Sequence, residues 1–361
     1  MTTNTNSRLV YWAGVASVFY FSGLVAQPIY LIGPFVIILS FLYVFSDKVR
    51  FPNLFLIGFF AVIVLSVILI VLQGIVGANT GVLWNFSLCL LLYIGVFFLS
   101  YKDTAERKIF IIKKIAWLII IYSLIDGVWR FFHPNMEQAF PGNPYFYRFK
   151  DNSLMFEDSN FVGVALAVSY GALKYIKTQF HVRIKLITFF LYLATVMTFS
   201  RASVISLLAV EFFVLFWRFN KFNKIIIVGV FVFLISISMH YLMEDGSFRT
   251  KFYIIDLFID GFNKLSIENQ MLGVGLGNSL EHIGIGAHSV VVIYGLELGW
   301  FGTFLQLLLL LFITFISRGT VWFVYFPYYI NGFSLLPIAI PVMFFFSAMI
   351  TSLSQNKDVY D

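Results

Sequence analysis

Charge is what this chain has least of. Only 12% of its 361 residues are Asp, Glu, Lys or Arg, while 60% are hydrophobic, 20% are aromatic and the mean hydropathy is +0.90. Soluble domains carry about 25% charged residues, so a soluble globular protein is excluded. Cysteine is nearly missing as well. Cys89 stands alone inside an apolar run, which excludes a disulfide framework and a cysteine-based metal site. No internal repeat and no low-complexity segment is visible. The N-terminus, Met1 to Arg8, is short and polar and lacks a cleavage site of small residues after the first apolar run, so no removable signal peptide is expected.

What the chain has in abundance is long apolar segments. They cover 9–26, 28–46, 54–73, 82–100, 115–132, 161–177, 186–200, 202–217, 225–242, 289–317, 320–333 and 334–353. A helical span needs about 20 such residues. The expected fold class is therefore an all-α polytopic membrane protein, one integral membrane domain over 1–361 with about 12 transmembrane helices. Pro327, Pro337 and Pro341 interrupt the last hairpin, so 11 or 13 spans fit as well.

The basic residues between the runs alternate from side to side. Arg8, Lys48, Arg50, Lys102, Arg107, Lys108, Lys113, Lys114, Lys174, Lys177, Arg183, Lys185, Arg218, Lys221, Lys224, Arg318 and Lys357 share one side. That is 17 of the 24 Lys and Arg. The positive-inside rule makes that side cytoplasmic, with both termini inside. The net charge of +6 then reports membrane orientation, and no nucleic-acid partner is implied.

Two outward segments, about 133–160 and 243–288, are longer than connectors and hold most of the polar chemistry. The short span 186–200 ends in Thr198-Phe-Ser-Arg201-Ala-Ser203, which places Arg201 below the outer membrane surface. A charge at that depth either faces a wet cavity or an anion, or snorkels to lipid headgroups. In the first outward segment, Arg148 and Lys150 stand among tyrosines, as an anion or sugar platform or as a solvated loop face. Asp158 or Ser159 caps the helix that follows.

In the second outward segment, Phe248, Phe252, Ile255, Ile259 and Phe262 recur on one helical face, with Arg249, Asp256, Asp260 and Asn263 on another. This is an interfacial amphipathic helix. Its polar stripe is either self-paired surface or the roof of a site, with Arg249 near its start. Gly273-Val-Gly-Leu-Gly277 lacks the preceding strand and the full spacing of a nucleotide loop and reads as a flexible bend. His288 precedes the tenth span, where a neutral imidazole can take a proton from a hydroxyl or serve structure alone. His282 is the reserve candidate, and the two histidines lack further metal ligands. Gly295 and Gly299 make a small-xxx-small packing face, and Glu297 between them is a buried acid like Glu211, either functional or an interhelical hydrogen-bond group.

An outward-facing site has no ATP to draw on, so its donor must come activated on a membrane lipid. Arginine forks hold phosphate oxygens and stabilise the charge that grows on a departing diphosphate. A single base for the acceptor then completes the chemistry.

These residues, in this order, resemble the O-antigen polymerase and O-antigen ligase superfamily of bacterial surface-polysaccharide assembly. The matching pieces are Arg148 with Asp158-Ser-Asn160, Ser200-Arg201-Ala202, Gly246-Ser-Phe-Arg249, Leu272-Gly-Val-Gly-Leu-Gly277, Ala287-His288 and Glu297-Leu-Gly-Trp-Phe-Gly302. They cover roughly residues 140–302, and the first third matches in hydropathy alone. The family usually has Asn after the His, where this chain has Ser289.

The resemblance implies an inverting, metal-independent glycosyltransferase without cofactor, multi-pass in the bacterial inner membrane, with its site facing the periplasm. Its donor would be an oligosaccharide on undecaprenyl diphosphate. By carry-over, Arg201 and Arg148 hold the diphosphate, Arg249 assists, and His288 activates the acceptor, with Lys150, Asp158 and Glu297 as further substrate-binding candidates. A chain-length regulator protein is an implied partner. A polymerase is favoured over a ligase by the missing His-Asn pair and by a composition typical of AT-rich O-antigen gene clusters. A lipid-linked oligosaccharide flippase is the alternative from another class. Carriers, however, put polar features near the midplane, and here they collect on one outer face.

Overall fold

The computed structural model describes residues 3–20, 24, 26–46, 53–138, 145–156, 158–220, 222–229, 233, 246–286, 289–333 and 339–355. They form an all-helical protein, and no strand occurs among them. The first half runs through α1 (Thr3–Val18), α2 (Pro28–Ser46), α3 (Asn53–Val76), α4 (Thr80–Ser100), α5 (Ala105–Phe132), α6 (Ser159–Phe180), α7 (Lys185–Met197) and α8 (Arg201–Arg218). After α9 (222–229) come α10 (Gly246–Lys264), α11 (Ile267–Leu272), α12 (Ser279–Ile283) and α13 (Val290–Val292), which runs into a π-helical turn, Ile293–Glu297. α14 (Gly299–Ile316), α15 (Trp322–Gly332) and α16 (Pro341–Ser354) close the order.

By length and composition, α3, α4 and α14 are long and apolar enough to cross a membrane, and α2, α7 and α16 are shorter apolar helices. α16 is buried along its whole length. It packs against α4 and α6, while α2 covers α4, α14 covers α3 and α15 covers α6. A helix apolar on all sides belongs at the centre of a large bundle or in a bilayer. The outer helices keep large side chains exposed, among them Phe60 at 68% and Ile75 at 76%. Soluble monomers rarely expose large contiguous apolar surface, and these side chains suit a membrane setting.

Between greasy helices, close approach at small residues supplies the contact. A Cβ on Gly171 of α6 would collide with the Phe323 carbonyl oxygen of α15, and one on Gly163 would collide with the Ser203 side chain of α8. The same seam carries polar contacts: Ser203 Oγ donates to Asn331 Oδ1 (3.0 Å), and Asn331 Nδ2 donates to Ser206 Oγ (2.6 Å). Glu211 of α8 is tied into this helix group, taking hydrogen bonds from Tyr170 and Lys174 of α6. Of the two readings left for Glu211, interhelical bonding is the one these contacts describe.

The run 289–317 is not one helix. Gly299 takes φ +65, and Leu298 N–H bonds back to Ile293 O (2.9 Å), so the chain breaks before α14 begins. A side chain at that φ would be strained, and a Cβ on Gly299 would strike the Gly273 backbone. The expectation that Gly295 and Gly299 form one small-residue packing face is thus corrected. Gly295 lies under the Phe258 ring, and Gly299 makes the break.

Candidate functional site

The site is built outward from a buried ion pair that the sequence reading passed over. Asp126 and Arg130 are one helical turn apart in α5, both fully buried, with Arg130 Nε 2.8 Å from Asp126 Oδ2. Asp126 Oδ1 accepts from Ser153 Oγ (2.8 Å) and from Leu154 N–H (2.6 Å). Arg130 donates to Phe149 O (2.5 Å) and to Met197 O (3.0 Å). One pair therefore fastens three pieces of chain: α5, the segment 145–155, and the end of α7. Phe149 is next to Lys150 and Met197 is four residues before Arg201, so this network ties together the two stretches of backbone that carry these cations. A carboxylate and a guanidinium in an apolar run at i, i+4 spacing is the signal that would have found it.

The turn after α7 is tight. Thr198 N–H bonds to Thr195 O and Phe199 N–H to Val196 O, with Phe199 at φ +54. Ser200 then caps α8, accepting from Ser203 N–H (3.4 Å), which leaves Arg201 as the first residue of the helix and exposed. The Phe199 ring stands 6.0 Å from both Phe146 and Phe149, so the turn and the 3₁₀ segment Tyr145–Phe149 share an aromatic floor. Ser159, the first residue of α6, donates to Thr198 O (2.8 Å), and its N–H bonds to Lys150 O (2.9 Å). Asp158 caps α6 through Asn160 N–H (2.8 Å), as expected of that position.

Charges from distant parts of the sequence meet over this floor. Lys150 is buried, with Nζ 4.6 Å from the Tyr147 ring centre. Burial pushes its ammonium down from the ordinary lysine value. Asp158 and Asp151 oppose that shift, and Arg201 and Lys251 add to it. Lys251 of α10 is lowered by burial in the same way, with Asp158 opposing. Lys150 therefore lies within electrostatic reach of Arg201 and Lys251, and both lysines within reach of Asp158. Lys251 was missed in the sequence, where it falls between the apolar and polar faces assigned to its helix. Arg148 lies over the Tyr145 ring at 3.7 Å, and its Nε is buried without a hydrogen-bond partner among the described residues.

The remaining candidates fall in different places. Arg249 is in the first turn of α10. His288 lies outside the described residues. His282 is exposed in α12. Glu297 ends the π-helical turn, buried, with Oε1 accepting from Ser279 N–H (3.2 Å) and Oε2 without a hydrogen-bond partner among the described residues.

The glycine segment beside Glu297 is not the flexible bend its composition implies. Val274 N–H bonds to Leu296 O (3.0 Å), Gly275 N–H to Glu297 O (3.0 Å), and Leu276 N–H to Gln73 Oε1 (2.9 Å). Gly273, at φ +85, has no room for a Cβ beside the Glu297 carbonyl. It is a packed strap between the α3–α4 turn and the break at Gly299.

The buried face of α10 is also rotated from the expected one. Ile254, Phe258, Phe262 and Leu265 pack towards Val274, Val292 and Leu296, while Phe252 and Ile259 stay exposed. The cause is tertiary: Phe258 sits on Gly295, and Phe262 meets Trp300 edge-on at 5.9 Å.

Among the described residues, no three His, Cys, Asp or Glu side chains gather as a metal site requires. The arrangement can hold an anion: three cations and an arginine stacked on tyrosine, on an aromatic floor fastened by a buried salt bridge. The chain matches no family model, and comparison with curated proteins finds no match.

Proposed function

We propose that this protein is an O-antigen polymerase of the bacterial inner membrane, joining oligosaccharide repeat units carried on undecaprenyl diphosphate at the periplasmic face. In this reading the chain crosses the bilayer about 12 times, and 133–160 and 243–288 are its two periplasmic loops. The observation that carries it is the placement of Lys150 and the Arg201 turn on one aromatic floor, joined through Ser159, with Lys251 within electrostatic reach of Lys150. Residues from both loops thereby share one cationic site beside apolar helices, which is what a lipid-linked diphosphate requires.

The chemistry is a substitution at the anomeric carbon. An acceptor hydroxyl on a lipid-linked repeat unit attacks, the bond from that carbon to the diphosphate oxygen breaks, and the configuration inverts. Arg201 and Arg148 hold the diphosphate, with Lys150 and Lys251 adding charge and Arg249 assisting. Charge grows on the leaving oxygens in the transition state, so cations placed there lower the barrier selectively. The leaving diphosphate needs no proton. His288 takes the proton of the attacking hydroxyl. Asp158 restrains the two lysines by partial neutralisation, and Glu297 shapes the glycine strap within the second loop. A chain-length regulator is the expected protein partner.

The test is the lipopolysaccharide banding pattern of a strain deleted for the gene. Core bearing a single repeat unit, with the ladder gone, supports the polymerase. Bare core with long polymer left on its lipid carrier means a ligase instead. Bare core with unpolymerised units held inside the cell means a flippase and refutes the enzyme reading.

A further inference from the structure

A second binding place lies at the far end of α6. Thr178 is 19 residues beyond Ser159, about 28 Å along the helix axis, close to the about 30 Å of a hydrocarbon core. A cavity of about 730 Å³ opens there between α6, α8 and the turn joining α14 to α15, within the range of small-molecule sites. Its lining contains the cation Arg318, the threonines Thr178, Thr314 and Thr320, and apolar walls from Phe213 and Trp322. Thr314 Oγ1 is buried without a hydrogen-bond partner among the described residues.

The turn is shaped around the arginine. Gly319 N–H bonds to Thr314 O (2.8 Å), Arg318 N–H to Phe315 O (3.0 Å) and Thr320 Oγ1 to Ser317 O (2.7 Å). This leaves Arg318 at φ +54, a backbone region that non-glycine residues seldom adopt. The sequence puts an arginine there, immediately before Gly319, and it lines the cavity.

We propose that this cavity binds the phosphate headgroup of an anionic phospholipid from the leaflet opposite the cationic cluster. Arg318 takes the phosphate oxygens, and the acyl chains follow the apolar wall at Phe213. Arginine matches phosphate geometry with two parallel donors, and tryptophan at headgroup depth is the usual interfacial anchor. The inference uses the membrane orientation of the proposed function but not its chemistry, so lipid binding without polymer formation would separate the two.

The experiment titrates the full-length protein in neutral detergent with dioleoylphosphatidylglycerol, dioleoylphosphatidylcholine or inorganic phosphate, reading the melting temperature by tryptophan fluorescence. The proposal expects a saturable rise with phosphatidylglycerol alone. Half-saturation should move at least tenfold higher in Arg318→Gln, and equally in Val214→Trp, which fills the cavity without touching the arginine. Lys177→Gln, another basic residue at the same end of α6, should titrate as wild type. An equal response to phosphatidylcholine overturns the proposal. So does saturation by phosphate alone, which would mean a soluble anion site, or wild-type titration by both cavity variants.

Discussion

Replacing Arg130 with methionine tests how the site is assembled. The change removes the 2.8 Å contact to Asp126 and the donors to Phe149 O and Met197 O. The Asp126 carboxylate stays buried, still accepting from Ser153 and Leu154 but with no cation. Removing one partner of a buried ion pair costs about 3–5 kcal/mol, and two carbonyls that lose their donors push the value to the upper end. The double variant Asp126→Asn/Arg130→Met strands no charge, so its loss should fall short of the two single losses combined by about 1–3 kcal/mol. Melting in detergent should drop by several degrees in Arg130→Met. Hydrogen exchange should rise first at 145–155, which the pair ties to α5, and last in the central helix α16. Wild-type melting together with a protected 145–155 segment would refute the idea that this pair holds the site together.

Two further predictions rest on local geometry. Lys108, fully buried and donating to Tyr101 O (3.3 Å) and Ser352 O (2.9 Å), has its ammonium pushed down to about 7 by burial, with Asp103 opposing. Unfolded lysine titrates near 10.4, so between about pH 7 and 10 the unfolded chain holds a proton that the folded one lacks. Stability should therefore rise with pH across that window, by at most about 1.4 kcal/mol per pH unit, and Lys108→Met should flatten the rise in a melting series. Gly273→Ala should destabilise by several kcal/mol, because positive φ costs about 1–2 kcal/mol and the new Cβ collides with the Glu297 carbonyl. Gly284→Ala, at a left-handed φ of +70 with nothing within 4 Å of the added carbon, should cost only the αL penalty. Its melting curve should fall clearly less than that of Gly273→Ala, where the collision adds to a backbone region that is essentially glycine-only.

Local signals in the sequence were legible and tertiary ones were not. The helix over α10 and the Asp158 cap follow from spacing and residue type alone, and both stand in the structure. Which face of α10 is buried does not follow, because Gly295 offers a seat for Phe258 from another part of the chain. Gly299 reads as helix packing until Gly273 is seen pressed against it. Asp126 and Arg130 were legible as an i, i+4 pair in an apolar run, yet only the structure shows the pair reaching Phe149 and Met197. The company that Lys150 keeps with Arg201 and Lys251 is a property of the fold, since 101 positions separate the first from the last.

The claim at the centre of this account is that Arg201 belongs to the group of cations that holds the donor diphosphate. The most direct test returns wild-type protein or Arg201→Ala to the deletion strain at matched membrane levels and reads the lipopolysaccharide ladder. Arg201 is exposed at the start of α8, so its removal should leave the fold intact, as an unchanged melting temperature would show. The account predicts that wild type restores the ladder and Arg201→Ala leaves core with a single repeat unit. A normal ladder from well-inserted Arg201→Ala protein would contradict it.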